Sequence, residues 1–119
     1  LDPVHPATTS ATIVEQVIRG VIGFQGLLMS DDVSMNALSG SIAERTRAIF
    51  SAGCDIVLHC NGNFEEMRDV AAVTPELSGK ALERARLALA SRRAPQPFDR
   101  TAARSELEAL MSKAEIPGA

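Results

Sequence analysis

The sequence predicts an α/β fold of parallel strands joined by helices, and three observations carry that expectation. Two short runs, Gly26–Ser30 and the stretch CDIVLHC at 54–60, are apolar on both faces, as strands covered by helices tend to be. Around them apolar residues recur at helical spacing. Strand and helix alternate up to residue 75, a pattern that implies parallel pairing and right-handed units.

Taken in order, LDPVHPATTS is loop-like. Ser10 or Thr12 can cap a first helix whose apolar positions are Ile13, Val14, Val17 and Ile18, and Gly20 can end it. The strand Gly26–Ser30 follows a short turn. Residues 41–52, SIAERTRAIFSA, form the next helix, with Ile42, Thr46, Ile49 and Phe50 on one face and Glu44, Arg45 and Arg47 turned outward. Gly53 stops it, and CDIVLHC supplies the second strand. Asn63 can cap a third helix, with Glu66 outlining a capping box, and Thr74-Pro75 ends it. From Ser78 onward only helices are expected. Residues 79–93 place Leu82, Ala85 and Leu89 on one side, the linker APQPFD interrupts, and a last helix at about 101–113 presents Leu107, Leu110 and Met111.

Composition narrows the function classes. At 119 residues and 45% hydrophobic content the chain is the size of one globular domain. Net charge is −3 and the longest basic cluster is Arg92-Arg93, which argues against a nucleic-acid groove. No apolar run approaches the roughly 20 residues of a membrane-spanning helix. The N-terminus lacks the pattern of a secretory signal. A start on Leu1 within a loop-like segment suggests that further sequence precedes it. Cys54 and Cys60, six strand steps apart and so separated by about 20 Å, cannot form a disulfide; both read as small buried hydrophobes. Four Phe are the only aromatic residues, so neither Trp nor Tyr here can stack on a sugar.

Two parallel strands leave both outer edges unpaired, which invites aggregation. An eight-stranded (β/α)8 barrel of the TIM type typically needs about 250 residues. The economical expectation is the C-terminal portion of such a barrel, its last two strands and their helices over 1–75, with a helical extension over 76–119. The rival is a small open α/β domain paired with a copy of itself.

The stretch GFQGLLMSDDVSM, residues 23–35, runs an apolar strand into two acids. In barrel enzymes the catalytic groups stand where strands end and loops begin. Neighbouring side chains on a strand point to opposite faces. If Leu27 and Met29 face inward, Asp31 continues their series into the mouth and Asp32 turns aside. The alternation does not choose between the two series. It does exclude the two acids as partners, because a retaining glycosidase converges two carboxyl groups to about 5–5.5 Å. Loop hydrogen bonding is the plain alternative for either acid.

IRGVIGFQGLLMSDDVSMNAL followed by ERTRAIFSAGCDIVLHCNG resembles the C-terminal part of the bacterial β-N-acetylhexosaminidases of glycoside hydrolase family 3, and DPVHPATTS resembles the segment leading into it. The resemblance runs from residue 1 to about 75 and more loosely through the tail. It implies a barrel, retention of configuration, and removal of terminal β-linked N-acetylglucosamine, including from peptidoglycan fragments during cytoplasmic cell-wall recycling. It implies a carbohydrate substrate, no metal and no organic cofactor. The aspartate after the serine at this strand end would be the nucleophile, here Asp31. The family's Lys-His sugar-binding motif and its mobile Asp-His acid/base loop do not occur in these residues, so the segment alone is expected to be inactive. Where the family commonly has Glu-Gly after SDDVSM, this chain has Asn36-Ala37. His59 reads as a core or barrel-lining residue, His5 as a surface loop residue, Met35 as packing under the loop, and Asn61-Gly62 as a turn bordering the site. Asp32 as a metal ligand lacks a second ligand at useful spacing. A different class of reading is a non-catalytic barrel remnant or self-associating structural fragment.

Overall fold

The fold is a computed structural model that describes residues 1–113. After a 3-10 turn at Ala7–Thr9, buried Ser10 starts the first helix by accepting the Ile13 N–H on its hydroxyl at 3.1 Å. That helix, Thr12–Val21, is a π-helix, wider than the α-helix the spacing predicts: Ile22 N–H reaches back five residues to the Val17 carbonyl at 2.8 Å. It passes Gly20 by one residue and buries Val14.

Strands β1 (Met29–Asp32) and β2 (Ile56–Leu58) pair in parallel. β1 therefore begins at Met29, not Gly26, and runs on to Asp32. The reason is where the preceding backbone groups go. The Phe24 and Gly26 carbonyls accept Arg19 Nη1 at 2.9 and 2.7 Å, leaving no ladder partner until Leu28. β2 is likewise shorter than 54–60, because Cys54 N–H closes the preceding helix on the Ile49 carbonyl at 3.4 Å and Cys60 N–H goes to the Asp32 carboxylate at 3.1 Å.

Helix α1 (Ile42–Ser51) carries a complete capping box that the sequence reading placed elsewhere: Ser41 Oγ accepts Glu44 N–H at 3.3 Å while Glu44 Oε2 accepts Ser41 N–H at 2.8 Å. Its inner face buries Thr46 and Ile49 completely. Gly53 then takes φ +104°, and a Cβ there would stand 3.1 Å from Val14 Cγ1, so only glycine allows this turn to lie against the first helix. Helix α2 (Phe64–Val73) is capped by Asn63, whose Oδ1 accepts the Glu65 and Glu66 N–H groups at 3.1 and 3.4 Å. Glu66 does not complete the box, because its carboxylate is engaged by side chains at the end of β2.

Helix α3 (Gly79–Ala90) half-buries Leu82 and Ala85, whereas Leu89 is exposed, so the expected apolar side is only partly used. In helix α4 (Arg100–Lys113) residues 100–112 are exposed apart from half-buried Ala103. The core consists of Val14, Val33, Leu38, Ile49, Ala52 and Cys54, with Ile18, Leu28, Met35, Val57 and Val70 packed against it. Cys60 is exposed, which corrects its reading as a buried hydrophobe: it lies past the last residue of β2, outside the core. The radius of gyration is 19.2 Å. A compact chain of this length would have about 13–14 Å. The chain therefore holds a small core and projects helices away from it.

Charge fastens the N-terminal end of the sheet. The Asp55 side chain is 5% exposed, and its Oδ2 meets Arg19 Nη2 at 2.8 Å and Leu28 N–H at 2.9 Å. Its Oδ1 meets Arg84 Nη1 at 2.9 Å, and Arg84 Nε donates to the Gln25 carbonyl at 3.1 Å. Burial pushes the Asp55 carboxyl up, but the Leu28 N–H and the two guanidiniums together hold it below the usual carboxylate range. One buried anion thus joins the first helix, the sheet and α3.

Candidate active site

The C-terminal end of the sheet is organised differently. Between Met29↔Ile56 and Asp32↔Leu58, β1 advances three residues while β2 advances two. The extra residue is a bulge. At the bulge the ladder borrows a side chain: Leu58 N–H donates to Ser30 Oγ at 3.0 Å, and Ser30 Oγ donates to the Asp31 carbonyl at 2.7 Å. Past the bulge, Val33 N–H returns to the Leu58 carbonyl at 2.8 Å.

The bulge sorts the side chains. Met29 and Asp31 are exposed while Ser30, 7% exposed, is buried. Val33 is fully buried, where an uninterrupted alternation from Ser30 would have put Asp32. Asp32 is held between the two faces.

The two acids have different partners. Asp32 Oδ1 accepts Ser34 N–H at 3.0 Å and Cys60 N–H at 3.1 Å, and its Oδ2 accepts the Ser34 hydroxyl. Those donors, led by the Ser34 hydroxyl and then the Ser34 N–H, hold the Asp32 carboxyl below its ordinary range against the opposing effect of burial. Asp32 is thus the tie between the loop after β1 and the end of β2. Asp31 accepts one hydrogen bond, from Asp32 N–H to Oδ1 at 2.8 Å, and its Oδ2 has no partner among the described residues.

Three further groups shape this rim. Arg45 of α1 clasps the loop after β1, donating Nη1 to the Val33 and Met35 carbonyls at 3.3 and 3.2 Å and Nε to the Gly40 carbonyl at 2.9 Å. Met35 packs against the core under that loop. His59, with its side chain 7% exposed, places Nε2 3.0 Å from Glu66 Oε2, which also accepts Asn61 Nδ2 at 2.7 Å. The His59 contact and then the Asn61 amide keep the Glu66 carboxyl below its usual range. Asn61 thereby anchors the turn before Gly62. His5 stays exposed in the N-terminal segment, with Nδ1 3.2 Å from Asp2 Oδ2. The sequence reading missed Ser30, Arg45 and the His59–Glu66 pair. The one signal for them was a polar residue inside an otherwise apolar strand, which must find a partner.

Chemically, this end offers one carboxylate with an oxygen free among the described residues, held at its other oxygen by the main-chain N–H of a neighbour whose own carboxylate is tied to the scaffold. Such a group can accept a proton or attack an electrophilic carbon. Among the described residues, no helix is long and apolar enough to cross a membrane.

Comparison with known proteins gives this rim a family context. The Glycosyl hydrolase family 3 N terminal domain matches residues 1–94, which includes α3. A beta-hexosaminidase of Aromatoleum aromaticum is 44% identical over 63 residues, covering 51% of this chain and 17% of that protein. One of Neisseria gonorrhoeae is 46% identical over 68 residues, covering 54% and 19%. One of Xanthomonas campestris pv. campestris is 39% identical over 74 residues, covering 59% and 22%. The chain therefore spans about a fifth of the length of the curated relatives it matches. With a family match over most of its length, this chain belongs to glycosyl hydrolase family 3, a family of glycosidases.

Proposed function

We propose that residues 1–75 are the closing βα units of a (β/α)8 barrel and that residues 76–119 form its helical extension. The whole protein is a retaining glycoside hydrolase that removes terminal non-reducing β-linked N-acetylhexosamine, with peptidoglycan fragments in the cytoplasm as the natural substrate. Asp31 is the nucleophile. Its attack on the anomeric carbon expels the leaving alcohol and forms a glycosyl-enzyme, which water then opens with net retention. The proton for the leaving group comes from an acid/base residue outside this segment, so residues 1–119 alone do not turn over substrate.

The observation that supports this reading best is the division of labour in the acid pair: both oxygens of Asp32 are engaged, while Asp31 keeps an oxygen open at the C-terminal end of β1. In the whole protein, Asp31→Asn is expected to lower release of 4-nitrophenol from its N-acetyl-β-glucosaminide by more than about a thousandfold with little change in melting temperature. Undiminished turnover would remove the assignment.

One feature favours a second reading, a self-associating structural fragment without catalysis. Met29 on the sheet is 49% exposed, and the sheet has two strands only among the described residues. Sedimentation of residues 1–119 separates the two. A monomer that gains neither mass nor order with concentration speaks against the second.

A further inference from the structure

Resting on the assignment of Asp31 as nucleophile, we propose that Ser30 is the positioning residue of this site, its hydroxyl standing in for a strand carbonyl and holding the bulge that brings Asp32 opposite Leu58, where the Asp32 N–H braces Asp31 Oδ1. In an uninterrupted parallel pair starting at Met29↔Ile56, Asp31 would stand opposite Leu58. Asp32 takes that place instead. What permits the slip is Ser30. Its oxygen accepts the Leu58 N–H, a donor that a regular ladder would give to a main-chain carbonyl, and its proton goes to the Asp31 carbonyl, the group left over at the bulge. One side chain therefore satisfies both main-chain groups that the extra residue would strand.

Burial makes the arrangement specific to a short hydroxyl. Ser30 is 7% exposed, so water does not readily replace it. Alanine there would leave the Leu58 N–H and the Asp31 carbonyl without partners, and closing the bulge is the simplest way to pair them again. Closing it would move Asp31 into register with Leu58, turn Asp32 toward the buried face and away from Ser34 and Cys60, and draw fully buried Val33 toward the open face, so the brace on Asp31 is lost. Ser30 never meets the sugar. It acts through the aim of the carboxylate beside it.

The test uses the whole protein and 5-fluoro-N-acetyl-β-glucosaminyl fluoride, which transfers its sugar to the nucleophile, releases fluoride and leaves a slowly hydrolysed adduct. The first-order trapping rate at saturation is read per titrated active site, so a smaller folded fraction does not enter it. Ser30→Ala is expected to trap about 100-fold more slowly, the loss that follows a displacement of about 1 Å. Its half-saturating concentration and the rate of Ser30→Thr, which keeps the hydroxyl, should both stay within about threefold of the parent. Where Ser30→Ala yields no folded protein, Ser30→Cys, whose larger sulfur fits neither bond, is read against the same threshold. A parental rate in Ser30→Ala overturns the inference, and so does a Ser30→Thr rate as low as that of Ser30→Ala. Asp31→Gly is the control. An adduct that still forms in it lies on another residue and removes the nucleophile assignment itself, whereas loss of the adduct there beside a parental rate in Ser30→Ala removes only the role of Ser30.

Discussion

The two ends of the β1–β2 sheet each carry aspartate, and they use it in opposite ways. At the N-terminal end Asp55 is enclosed, with one oxygen on Arg19 and Leu28 and the other on Arg84. At the C-terminal end Asp32 is engaged just as fully, but by uncharged donors, and the acid beside it keeps an open oxygen. The same functional group is enclosed at one end and partly open at the other. The difference lies in the partners: two guanidiniums consume a carboxylate's charge, whereas hydroxyl and amide donors fix its position and leave the charge in place.

The contrast breaks most visibly at Asp55. Asp55→Ala leaves two largely buried guanidiniums without their anion and should cost about 3–5 kcal/mol of stability, measured by denaturant unfolding of the whole protein. Trapping per folded molecule should be unchanged. A variant that unfolds normally but traps slowly would show that the two ends are coupled.

Acid sharpens the same comparison. Asp55 is depressed in the folded state, so its contribution is present above its unfolded value of about 3.9 and is lost as pH falls through the lower folded value. The parent should therefore lose stability below about pH 5, with a shallower decline in Asp55→Asn. Equal slopes would mean that the guanidiniums do not stabilise the ionised form.

A smaller effect is expected at Asp32. Asp32→Asn keeps Oδ1 for the Ser34 and Cys60 N–H groups but puts an amide in place of the oxygen that accepts the Ser34 hydroxyl, so the melting temperature should fall by about 4 °C or less. The adduct should remain on Asp31, which peptide mapping of the trapped enzyme would check. Recovery of the adduct at Asp32 in the parent would invert the roles of the two acids.

Much of the helical framework was legible because its causes are local. The apolar face of 41–52 and the Asn63 cap each act within a turn or two of chain, and α1 and α2 lie where those signals put them. The strands were legible as apolar runs, but their limits were not, since Gly26 and Cys60 send their main-chain groups to the side chains of Arg19, 7 residues before, and of Asp32, 28 residues before. The Arg19–Asp55–Arg84 fastening spans 36 and 29 residues, which no periodicity records. A single acid inside CDIVL was the available hint, because a charge in a buried run demands a counter-charge. The doublet Asp31-Asp32 drew attention by itself. How the second acid is tied to the scaffold follows from the bulge, where a hydroxyl takes the place of a carbonyl.

The two thiols differ as sharply as the acids. Cys60 is exposed beside the rim, whereas Cys54 lies in the core, where burial pushes its thiol pKa up and removes it from solvent. A maleimide dye would thus mark the first at once and reach the second only when the core opens. The molecule carries a ready-made attachment point for a fluorescent reporter near Asp31 and, a few residues earlier, an internal timer of its own unfolding.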